Sequence, residues 1–162
     1  MSTHGRLLGV DYGTVRIGLA LADLESKIAS PLATLARRTP AQDAAFFREL
    51  VNREHVRMIV VGLPVHMSGQ EGEKALEARQ FGSWLGTSTG LPILYWDERY
   101  TTSEAEQHLQ QAKLTAKQRR ARRDQIAAQI LLQTFIEAGC PRIPSFESLD
   151  PAVNLPSSSD SD

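Results

Sequence analysis

Apolar residues recur along the chain with two periods, and the switches between those periods divide it into elements. Leu7–Val10 is a short apolar run, and Ile17, Leu19 and Leu21 alternate with Gly18, Ala20 and Ala22. This predicts strands over Arg6–Asp11 and Arg16–Asp23, joined by a tight turn at Gly13, where a Cβ would obstruct the backbone. The alternate face of the second strand is small rather than polar, which suits a sheet covered on both sides. Ile28–Leu35 reads as a third strand, and Pro31 places it at an edge or a bulge.

The helical period then takes over. Thr39 as cap and Pro40 at the first helical position open a helix to about His55, with Ala44, Phe47, Leu50 and Val51 at helical spacing. Met58–Gly62 is a continuous apolar run, as expected of a buried central strand. A polar loop through Ser68-Gly69-Gln70 leads into a helix over Glu71–Leu85. Ala75, Ala78, Gly82 and Leu85 share one of its faces, with Phe81 at the margin. After a loop at Thr87–Pro92, Ile93–Asp97 is a fifth strand, and Thr101-Thr102-Ser103 starts a helix to about Ala112. A basic segment, Lys113–Arg123, precedes a last long helix to about Ala138, closed by Gly139 and Pro141. The order β-β-β-α-β-α-β-α-α, with right-handed crossovers, makes the last two strands parallel to the first. The expectation is an α/β fold: a mixed five-stranded sheet with helices on its faces.

Length and composition narrow the function classes. The 162 residues fit one domain, expected over 1–142, and the Pro-, Ser- and Asp-rich tail at 143–162 is expected to be disordered. The net charge is -1, so an argument for nucleic acid must rest on local clustering. One cysteine, Cys140, excludes an internal disulfide framework, and it has no activating partner in view. No apolar stretch approaches the ~20 residues of a membrane span. A cytoplasmic protein is expected.

Three acids stand out. Asp11 and Glu98 both fall at the carboxyl ends of parallel strands, the edge at which open α/β sheets bind ligands. Asp124 begins the stripe Asp124, Ala127, Ala128, Leu131, Phe135 and Ala138, the face of the last helix that should cover the sheet. Carboxylates brought together at a half-buried edge repel one another and resist losing water. Protonation of one or two of them is one resolution; a pair of Mg²⁺ or Mn²⁺ ions is another. Carboxylate oxygens suit these ions, and two of them ~4 Å apart activate a water and stabilise the leaving oxygen of a phosphodiester. Read separately, Asp124 is also a helix N-terminal acid and Glu98 a loop carboxylate beside Arg99.

Four segments resemble the YqgF/RuvX family of Holliday junction resolvases and pre-16S rRNA nucleases, and the match runs over nearly all of residues 6–140. Val10-Asp11-Tyr12-Gly13-Thr14 with Arg16-Ile17-Gly18 is similar to the family's opening motif, and Val61-Gly62-Leu63-Pro64 with Gly69-Gln70-Glu71-Gly72 to its central one. Asp97-Glu98-Arg99 with Thr101-Thr102 resembles the third, and Asp124-Gln125-Ile126-Ala127-Ala128 the last. The resemblance implies an RNase H-like (RuvC-like) fold and metal-dependent phosphodiester hydrolysis, with Asp11, Glu98 and Asp124 as catalytic and metal-binding acids. The chain departs from the family at the central loop, where His66 and Ser68 replace the usual Asn and Asp. A lone loop His is more often solvent-facing than catalytic.

The basic segment bears on substrate. Lys113, Lys117, Arg119, Arg120, Arg122 and Arg123 place six cations within eleven residues just before Asp124, which would attract a phosphate backbone. Arg16 and Arg99 closely follow acidic motifs and are candidates for the phosphates flanking the scissile one. Trp96 reads as core, and Tyr100 as a candidate to stack on a base. The expected partner is structured RNA or branched DNA, bound by a monomer or a homodimer; two-fold junctions suit a dimer. Two rival readings remain at this point. One is an ATP-dependent phosphotransferase, whose phosphate loop Asp11-Tyr12-Gly13-Thr14 also resembles. The other is an inactive module that binds RNA.

Overall fold

A computed structural model describes residues 5–64, 70–98 and 115–140. The elements are β1 (Arg6–Asp11), β2 (Arg16–Asp23), β3 (Ala29–Ala36), α1 (Pro40–Arg53), β4 (Val56–Leu63), α2 (Glu73–Thr89), β5 (Ile93–Asp97) and α3 (Ala116–Glu137). The helix expected over 101–112 and the tail from 143 lie outside the described residues. The five strands form one mixed sheet in the order β3-β2-β1-β4-β5. β1 and β2 are antiparallel, as are β2 and β3, while β1, β4 and β5 run parallel. Pro31 sits where the sequence puts it: β3 is an edge strand, and its ladder skips a residue between the Leu19–Ala33 and Ala20–Pro31 pairs. A proline cannot donate to a ladder, so the edge and the bulge are where it does least harm.

Helices cover both faces. α1 and α2 lie on one, over a core in which Leu8, Val10, Ile17, Leu19, Ile59 and Val61 meet Phe47, Leu50, Phe81 and Leu85. Burying each of these larger side chains contributes about 1.5–3 kcal/mol relative to exposure. α3 lies on the other, where Leu7, Ala20, Met58 and Val60 meet Ala128, Leu132 and Phe135. Trp96 joins this second core, edge-on to Phe135 and donating from Nε1 to the Thr134 hydroxyl at 3.0 Å.

Three boundaries differ from the sequence reading. α3 begins at Ala116 rather than after the basic segment, because Thr115 and Gln118 cap it reciprocally. Lys117–Arg123 is therefore helical, and Asp124 lies inside the helix instead of at its start. α2 starts and ends later than expected and runs on to Thr89, where Gly90 closes it in the left-handed conformation. Within the stripe of α3, Ala138 is exposed and Ala127 only half-buried, whereas Leu132 and Ile136 are core.

Candidate active site

The carboxyl ends of β1, β4 and β5 share one edge. Side chains alternate along a strand, so residues of one parity face α3. Leu7, Met58, Val60, Leu94 and Trp96 belong to that core, and Asp11, Gly62 and Glu98 continue the same parity at its rim. β4 separates β1 from β5. A bond between Asp11 and Glu98 must therefore pass over β4, and it passes over Gly62. A Cβ at that position would collide with the Glu98 carboxylate.

Asp124 reaches the same point from above. Gly18 is the ladder partner of Asp11. The Asp124 backbone carbonyl occupies the space that a Gly18 side chain would need. Further along, Gly9 lets the Ala128 carbonyl and Leu132 approach β1. Hydrogen bonds to β3 and to the turn before it fix the position of α3. Thr34 donates to the Ala121 carbonyl at 2.6 Å, and the Gln129 and Gln133 amides hold the Ala29 backbone at 3.1 and 2.8 Å.

The electrostatics follow from this crowding. The Asp11 carboxyl is pushed up to about 8. Loss of water on burial is the largest cause, followed by the Glu98 charge, the hydrogen bond to Glu98 and the Asp124 charge. Burial also raises Glu98, helped by the Asp97 charge and opposed by the bond from Asp11. Two carboxyl groups bonded to one another need a proton between them, and Asp11 and Glu98 share that proton as a pair. Asp124 takes a different course: its Oδ2 accepts from Arg16 Nε at 2.8 Å. Arg16, at the start of β2, is thus a counter-ion inside the cluster.

Asp11, Glu98, Asp124 and Arg16 meet at one rim. Lys117, Arg119, Arg120, Arg122 and Arg123 are exposed on the opening turns of α3. Lys117 and Arg120, seven and four residues before Asp124, share its side of the helix. Arg99, Tyr100, Lys113, His66 and Ser68 lie outside the described residues. Among the described residues, no three acidic, histidine or cysteine side chains are already gathered so as to hold an ion. Cys140 packs at the end of α3, where burial pushes its thiol up, the wrong direction for a nucleophile. No helix among the described residues is long and apolar enough to cross a membrane. The sequence reading passed over the part played by Gly62. Its signal was a glycine inside a buried strand, in step with Met58 and Val60, which marks a close approach.

The sheet order, the covering helices and an acid-lined carboxyl edge define the RNase H-like fold of the RuvC resolvases. Thermus thermophilus RuvC solved with a Holliday junction superposes with a TM-score of 0.53 at 15% identity, over 85% of this chain and 97% of that one. The Fowlpox virus resolvase gives 0.51 at 10% identity, over 82% and 97%. The family model of RuvX, described as Holliday junction resolvase, matches residues 5–138, and the chain belongs to that family. It is similar to the "Putative pre-16S rRNA nuclease" of Rhodopirellula baltica, 47% identical over 83% of this chain and 78% of the relative. The protein of the same name from Koribacter versatilis is 39% identical over 84% and 89%.

Proposed function

We propose that this chain is a divalent-metal-dependent nuclease that hydrolyses phosphodiester bonds in RNA, in the maturation of the 5′ end of pre-16S rRNA. One observation carries the chemistry. Asp11 and Glu98 are packed together across β4 with the Asp124 charge close by, a crowding of buried carboxyl groups that a divalent cation would relieve. The donors are all carboxylate oxygens, which fits Mg²⁺ or Mn²⁺ rather than a softer ion. Asp11, Glu98 and Asp124 are the residues that would hold two such ions. When bound, the ions supply an activated water and charge stabilisation at the leaving oxygen. The chain's own part is to bring Asp11 against Glu98 with Asp124 nearby, to hold Arg16 on Asp124 at 2.8 Å, and to lay exposed cations along α3 for the phosphate backbone.

The RNA assignment rests on the relatives of this length that carry the rRNA name. A second reading, cleavage of branched DNA, is favoured by the description of the family itself. Purified protein with Mn²⁺ or Mg²⁺ should cut a structured precursor RNA faster than a four-way DNA junction; the reverse order would make branched DNA the substrate. Asp11→Asn should bind but not cut. Cleavage at the wild-type rate by Asp11→Asn refutes the site. Tight, salt-sensitive binding without turnover in any metal would mark a binding module, and an ATP-dependent thermal shift a phosphotransferase. The mass in solution distinguishes monomer from homodimer.

A further inference from the structure

The face of the sheet opposite the acids carries a second constellation at the same edge. β2 starts and β3 ends beside the carboxyl end of β1, since Asp11 pairs with Gly18 and Arg16 with Ala36. The next two residues are Arg37 and Arg38. The Arg37 backbone N–H donates to the Val15 carbonyl at 3.0 Å, which ties them to the turn that follows Asp11. Tyr12, the neighbour of Asp11, points to this face.

Both arginines are held in place. The Arg37 guanidinium lies over the Tyr12 and Phe81 rings, 5.4 and 5.5 Å from their centroids, and donates to the Tyr12 hydroxyl at 3.2 Å. Beneath them is Asp43, only 1% exposed and the sole charged residue in the described core. Its two carboxylate oxygens accept the Arg38 backbone N–H at 3.2 and 3.3 Å, and they stand 3.9 Å from Arg37 Nε and 3.7 Å from Arg38 Nε. Asp43 also lies in the first turn of α1, where the helix dipole favours it. A buried carboxylate is costly unless it is paired and hydrogen-bonded. Here it holds two guanidiniums at the surface. One negative charge beneath two positive ones leaves a net cation at the rim, and the Arg38 side chain is 48% exposed.

The geometry points to Arg37 and Arg38 as a second phosphate-binding station, which takes the backbone of the nucleic acid as it leaves the acids across the sheet edge. A planar guanidinium, ordered in advance by rings and a carboxylate, suits phosphate oxygens and loses little freedom on binding. The strand would then contact α3 on one side of the sheet edge and this station on the other. The inference rests on the nuclease reading above and extends it to the path of the substrate.

Salt dependence tests it, because each phosphate contact adds about one to the slope of log Kd against log salt. Binding is measured on the full-length Asp11→Asn protein, with an RNA hairpin bearing a 5′ single-stranded extension and a four-way DNA junction as probes. Arg37→Ala and Arg38→Glu should each weaken binding and lower the slope by about one on the probe that the wild type cleaves. Arg53→Ala, at the far end of α1, should leave the slope unchanged. Melting curves establish that each variant is folded. Should Arg37→Ala lose its fold, Arg38→Glu carries the test from its half-exposed position. Unchanged slopes in folded variants overturn this station alone. Failure of the Asp11→Asn parent to bind either probe overturns the nuclease reading and the station with it.

Discussion

The two faces of the sheet are built on opposite principles. Towards α1 and α2 the strands offer large side chains, and Phe47, Phe81 and Trp84 stack edge-on or tilted at centroid distances of 5.4–6.4 Å. Towards α3 they add to Leu7, Met58 and Val60 a strip of small residues, Gly9, Gly18 and Ala20 beside Asp11, along which the helix backbone comes almost into contact with the sheet. The first face is filled for volume. Beside the acids the second is kept small, because the Glu98 carboxylate passes over Gly62 towards Asp11 and the Asp124 backbone lies against Gly18. A stability core therefore fails when atoms are removed, and the site face fails when they are added.

Substitutions can break that contrast. The largest effect is expected from Phe47→Ala on the volume face. Phe47 is fully buried, and the change should cost about 3–5 kcal/mol, or roughly 6–20 °C in melting temperature by calorimetry. Gly18→Ala should come next. One added methyl meets the Asp124 backbone, which cannot swing aside as a side chain can, so a loss near the upper end of ~1–3 kcal/mol is expected in chemical denaturation. If Gly18→Ala were as stable as wild type, α3 would not lie where its contacts put it.

Gly62→Ala sharpens the same comparison, because its methyl meets the Glu98 side chain rather than a backbone. The loss of stability should stay near the lower end of ~1–3 kcal/mol, while cleavage falls by about 10²-fold as the carboxylate is displaced. In a Glu98→Ala background the same substitution should cost less stability than in the wild type; an additive loss would disconnect Gly62 from Glu98.

A further expected effect is on pH dependence. Asp11 is raised from 3.8 to about 8, so the folded protein holds a proton that the unfolded chain releases. Its contribution is fully present below about pH 4 and is lost as pH rises towards 8. Metal-free protein should accordingly melt lower at pH 8 than at pH 6, and Asp11→Asn should flatten that trend. A melting temperature that climbs over this interval would contradict the crowding of Asp11.

Much of this architecture is visible in local patterns. Pro31 announces an edge and a bulge, Thr39-Pro40 a helix start, and Met58–Gly62 a buried strand, since each depends on chemistry within a few residues. Asp11 and Glu98 stand out at the ends of apolar strands, and Asp124 at the head of an apolar helix stripe. Thr115 with Gln118 is likewise a local capping pair, and it starts the helix ahead of most of the basic run.

What the chain determines alone is therefore the kind and order of its elements, the acids that end two of them, and the basic run before the third. These are set by backbone preference and periodicity, which act at short range. Only the tertiary structure decided that Arg16 would answer Asp124 from 108 residues away, that Glu98 would pass over Gly62 to Asp11, and that Asp43 would gather Arg37 and Arg38. Contacts of this kind depend on strand order and on where helices lie across the sheet, and no short stretch of sequence contains that information.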